Sequence, residues 1–100
     1  MREFKNVSEI QKKIEECIST SVNDVNKHLI CSYFVKDVKF LKTFVSISLG
    51  LARSLDKFCS YTEIDFICSV ISRKLRPLGL SCRIFGVDFD PLVIKLIIEL

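Results

Sequence analysis

The sequence has no tryptophan, one histidine, three glycines and two prolines in 100 residues. The scarcity of glycine and histidine bears on function. The glycines stand alone at positions 50, 79 and 86, so no glycine-rich loop can cradle a phosphate. His28 stands three residues before Cys31, close enough to share a face if a helix continues there. A Cys–His nucleophile, or a zinc site of His28 with three cysteines, can be drawn from these residue types. Their spacing does not support either. There is no C-x-x-C knuckle, and Cys17, Cys31, Cys59, Cys68 and Cys82 are scattered singly. No catalytic residue, metal or cofactor is expected.

Long apolar runs are missing too. The longest candidates, "FVSISLGLA" and "LVIKLIIEL", fall far short of the roughly 18 residues that a membrane span needs. The opening "MREFKNVSEI" alternates charged and apolar residues and has no apolar stretch of signal-peptide length. With an odd number of cysteines, each among apolar neighbours, it predicts a cytoplasmic protein whose thiols are reduced small hydrophobes.

What is present is apolar content. Hydrophobic residues make up 49% of the chain, and the mean hydropathy is +0.34. One hundred residues fit a single domain, 1–100, with a modest core and much surface for its volume. Some apolar side chains should therefore stay exposed unless a partner covers them. The net charge of +3 is mild but uneven: Val25 to Arg83 holds ten Lys or Arg against four Asp or Glu. A basic middle is either an ordinary solvated surface or a meeting place for an anionic partner.

Two segments read as helices. In "VSEIQKKIEECISTSVNDVNKHLI", Val7, Ile10, Ile14, Ile18, Val22, Val25 and Leu29 recur at three- and four-residue steps, which predicts an amphipathic helix from about residue 8 to 28. Ser8 and Gln11 form a capping box at its start. In "YTEIDFICSVISRKLRPLG", Ile64, Ile67, Ile71 and Leu75 make the stripe. Ser60 and Glu63 suit its start, Arg73, Lys74 and Arg76 its negative end, and Pro77 with Gly79 stops it.

Residues 38–59 are contested. Lys39, Lys42, Ser46, Gly50, Arg53 and Lys57 form a polar stripe at helical spacing, the basis of an alternative mainly α bundle with 38–59 helical. Val45, Ile47, Leu49 and Leu51 instead alternate with Ser46, Ser48 and Gly50, as in a strand. Comparison of the halves favours strands. "SEI" at 8–10 matches "TEI" at 62–64; Cys31, Phe34 and Asp37 fall 51 residues before Cys82, Phe85 and Asp88; and "VSISLGL" resembles "IKLIIEL" in its alternation. The expected fold is α+β: an αββαββ internal duplication, half-repeats 8–51 and 62–100, with one antiparallel sheet and both helices on one face. Lys36-Asp37 and "DFDP" at 88–91 are the expected turns.

The last strand then points Ile94, Leu96, Ile98 and Leu100 into the core and Val93, Lys95, Ile97 and Glu99 outward. A strand apolar on both faces is either central in the sheet or met by another subunit. The paired carboxylates Glu15/Glu16, Glu63/Asp65 and Asp88/Asp90 read as helix-surface, helix-start and turn residues. Two functions remain. The first is a non-enzymatic protein–protein interaction or scaffold protein, a homo-oligomer or small subunit of a complex, with Val93, Lys95, Ile97 and Glu99 at the contact. The alternative is a nucleic-acid-binding adaptor (RNA or DNA) using Arg53, Lys57, Arg73, Lys74, Arg76 and Arg83, with Tyr33 and Tyr61 available for stacking.

Overall fold

The computed structural model describes residues 7–29, 31–53, 61–89 and 91–100. The elements run α1 (Val7–Asn26), β1 (Ser32–Phe40), β2 (Phe44–Arg53), α2 (Tyr61–Leu75), a short 3₁₀ turn (Arg76–Leu78), β3 (Cys82–Phe89) and β4 (Leu92–Glu99). The four strands form one antiparallel sheet in the order β1-β2-β4-β3. This is the αββαββ arrangement, with both helices over one face of the sheet.

Periodicity decides which side chains meet between the layers. Ile14, Ile18, Val22 and Val25 come inward from α1, and Ile64, Ile67, Ile71 and Leu75 from α2. The central strands answer with Val45, Ile47 and Leu49 from β2 and Ile94, Leu96 and Ile98 from β4, at strand spacing. Cys31, Tyr33 and Cys82 close the edges of the same core. Burying each of the larger aliphatic side chains contributes about 1.5–3 kcal/mol, before the entropy of ordering it is subtracted. Ser21 is the one buried polar residue in this layer among those described, and its hydroxyl donates to the Cys17 carbonyl at 2.6 Å.

The helical alternative for 38–59 fails over the residues described, because β1 and β2 fill most of that stretch. Three hydrophobic side chains at period two reach the core from β2. Gly50, a weakness in a helix, is useful in the strand. The Phe34 ring of β1 lies over it, so close that an added Cβ would stand 2.6 Å from the ring tip. A bare backbone lets the aromatic side chain fold across its neighbour strand.

Several local expectations need correction. Lys36 and Asp37 lie inside β1 instead of at a turn: a register shift falls between Val35 and Asp37, and Val38 and Phe40 carry the strand on. The chain reverses after Phe40, where the Leu41 N–H donates to the Phe44 carbonyl at 2.9 Å. Helix α1 stops at Asn26, two residues early, where the backbone tightens and the Lys27 and His28 N–H groups donate to the Asp24 and Val25 carbonyls three residues back. Ser8 falls inside α1 instead of capping it. Ser60 lies outside the described residues. Leu100 is 56% exposed and takes no part in the core; its N–H donates to the Thr43 carbonyl instead. Beyond α2, Gly79 adopts φ 74° and donates its N–H to the Arg76 carbonyl, the left-handed stop that Pro77 and Gly79 imply.

Candidate interaction face

β4 is an interior strand, hydrogen-bonded to β2 on one side and β3 on the other. Its backbone is therefore paired on both edges, and its two apolar faces have separate explanations. One is core. The other belongs to a sheet face over which no helix or strand packs among the described residues.

Strand register lays that face out in rows. Phe34, Gly50, Val93 and Asp88 cross the sheet side by side; then Asp37, Ser48, Lys95 and Gly86; then Lys39, Ser46, Ile97 and Arg83. Val93, Lys95, Ile97 and Glu99 thus share one face, opposite Ile94, Leu96 and Ile98. Phe34 is 42% exposed there, and Phe85, in the register shift of β3, is 64% exposed. Three ion pairs surround the apolar residues: Lys39–Asp37 at 3.8 Å, Lys95–Asp88 at 3.2 Å and Arg83–Glu99 at 3.2 Å. In each pair an acid faces a base, so these six charges cancel one another. Ile97 differs from its neighbours. It is only 8% exposed although it lies outside the core cluster, flanked by Ser46 and Arg83.

The edges of the sheet are closed by helix side chains, a feature with no counterpart in the sequence reading. Asn26 donates its amide to the Tyr33 carbonyl and accepts the Tyr33 N–H, both at 2.8 Å. Ser72 does the same for β3: its hydroxyl donates to the Cys82 carbonyl at 2.9 Å and accepts the Cys82 N–H at 3.0 Å. Each helix therefore occupies outward-facing backbone groups near the start of one edge strand. Each edge also carries a register shift, at Lys36 and at Phe85. Tyr33 and Cys82 are 49 residues apart, as are Lys36 and Phe85, whereas the sequence match sets Phe34 against Phe85 at 51. Capped and bent, both edges are poor templates for adding a strand.

The basic residues do not form one patch. Arg73 and Arg76 are exposed at the end of α2 and in the turn after it. Lys74 points to α1 and meets Asp24 at 2.8 Å; its ammonium holds the Asp24 carboxyl below the usual carboxylate range. Arg83 is on the open sheet face, paired with Glu99. Lys57 and the Arg53 side chain lie outside the described residues. A cleft of about 260 Å³ between the helices is lined by Asp24, Val25, His28, Phe66, Val70, Arg73 and Lys74. His28 is exposed beyond the end of α1, Cys31 is buried at the sheet edge, and no thiol lines this cleft.

Among the described residues no three His, Cys, Asp or Glu side chains are grouped to hold a metal, and no helix is long and apolar enough to cross a membrane. No protein-family model and no curated protein matches the chain.

Proposed function

We propose that this chain is a non-enzymatic interaction module that associates with a second copy of itself through the open sheet face. The observation that carries the reading is the asymmetry of the sheet. One face is covered by two helices. The other carries Phe34, Phe85, Val93 and Ile97 among balanced charge pairs, with no described element over it. The whole chain is positive, but this face is neutral in its paired charges, so a second copy meets it without net repulsion. A two-fold axis through the face would let the same side chains serve both partners. Association by strand addition at an edge is disfavoured, because Asn26 and Ser72 already occupy backbone groups there. The module belongs in a reducing compartment such as the cytoplasm, with its thiols reduced.

Light scattering on the unmodified chain, from low to high micromolar concentration, should show a monomer–dimer equilibrium. Ile97 is a poor probe, since a charge at a side chain already covered would damage the fold. Val93 and Phe34 are better placed. Val93→Glu and Phe34→Ser should each weaken the dimer about tenfold or more while leaving the circular dichroism spectrum unchanged. A chain that stays monomeric at high micromolar concentration overturns the reading. A dimer indifferent to both substitutions would place the contact elsewhere.

A further inference from the structure

The junction that Ser72 closes also brings two thiols together. Cys68 lies one helical turn before Ser72 on α2 and is half-buried; Cys82 opens β3 and is buried. The Cys68 thiol donates to the Cys82 carbonyl at 3.3 Å, which sets its sulfur against the Cys82 residue. Ser72, holding the Cys82 backbone by both its N–H and its C=O, fixes the strand against the helix at this point. The sulfurs are neighbours because helix and strand are clamped, not because the cysteines are close in sequence.

We propose that Cys68 and Cys82 form an oxidation site, at which a peroxide converts the pair into a disulfide fastening α2 to edge strand β3. Their roles follow from exposure, since Cys68 is half-buried and within reach of a small oxidant whereas Cys82 is buried behind it. The neighbouring Cys82 side chain holds the Cys68 thiol below its usual range, with a smaller contribution from Ser72, against burial and the Asp65 charge. The neighbouring Cys68 side chain raises the Cys82 thiol above its usual range, and burial adds to the shift. Cys68 is the accessible nucleophile and Cys82 the resolving thiol. Cys17 is a weaker candidate: burial raises its thiol, which donates to the Lys74 carbonyl at 3.5 Å.

The Cys68 thiolate attacks one peroxide oxygen. An S–O bond forms, the O–O bond breaks, hydroxide leaves, and the sulfur is oxidised to a sulfenic acid. The Cys82 sulfur then attacks the Cys68 sulfur, the S–S bond forms, and the hydroxyl departs as water with the Cys82 proton. Over both steps the thiols lose two hydrogens and hydrogen peroxide becomes two waters.

The test treats the fully reduced chain with hydrogen peroxide, alkylates the remaining thiols and maps the peptides. One intrachain link between the Cys68 and Cys82 peptides is expected, with Cys17, Cys31 and Cys59 alkylated and all five thiols recovered after dithiothreitol. Cys82→Ser should stop at a Cys68 sulfenic acid that dimedone captures, and Cys68→Ser should give no intrachain link. Five thiols surviving peroxide, a bond between any other pair, or a link between chains overturns the proposal. The mapping is done on the unmodified chain and does not depend on either variant folding.

Discussion

Two of the glycines call for opposite substitutions. Gly79 sits at φ 74°, where a Cβ crowds the following carbonyl, and its N–H closes the turn after α2. Gly79→Ala should lower stability by about 1 kcal/mol. Gly86 has no positive φ, and an added Cβ would meet nothing within 4 Å. It occupies an edge strand where glycine forfeits side-chain contacts and costs entropy, so Gly86→Thr should raise stability by about 0.5–1 kcal/mol. Urea unfolding of both variants, at concentrations where the chain is monomeric, checks the pair. Equal shifts of the same sign would mean that backbone conformation is not what separates the two sites. Gly50 is a third case. There an added methyl would strike the Phe34 ring, whose tip is exposed enough to swing aside.

Each edge strand is held by one polar side chain that satisfies both a donor and an acceptor. Asn26→Ala or Ser72→Ala should therefore cost about 1–3 kcal/mol, because each leaves backbone groups without a partner in a partly buried place. Hydrogen exchange at the Tyr33 amide in the first variant, and at the Cys82 amide in the second, should accelerate before the central strands do. Unchanged exchange would show that the clamps are incidental to the edges. These contacts also mark where sequence reading ends. The helices were legible from apolar spacing, whereas β1 and β2 needed the comparison of the two halves, because the spacing of 38–59 fits a helix as well as a strand. Asn26 and Ser72 were not legible, because a polar residue near a helix end gives no sign of the strand it will meet. The expected turn at Lys36-Asp37 failed for a related reason: a bulge and a turn use similar residues, and only the pairing partner tells them apart. Val93, Lys95, Ile97 and Glu99 fall on one face of β4, since strand alternation decides that. The cover over Ile97 comes from neighbouring strands and could not be read from β4 alone.

Across the whole molecule the charges are distributed in a way that separates the proposed self-association from the nucleic-acid alternative. The surplus of positive charge includes exposed Arg73 and Arg76 at the end of α2, while the open sheet face holds its charges in opposite pairs. A nucleic acid would be drawn to the first region and would release counterions, giving an affinity that falls steeply with salt. Contact between two copies of the sheet face instead depends on apolar burial and matched pairs, which salt screens only partly. We predict that the dimer dissociation constant changes by less than about tenfold between low and high salt. Arg73→Glu with Arg76→Glu should leave that constant unchanged, because both residues lie away from the open face. The same double variant, titrated with a single-stranded oligonucleotide beside the unmodified chain, makes the comparison complete. Sheet-face association is supported if the dimer persists in both proteins and no oligonucleotide is retained. It is overturned if the unmodified chain stays monomeric and binds the oligonucleotide with a steep salt slope that charge reversal removes, since the exposed arginines would then be the functional surface.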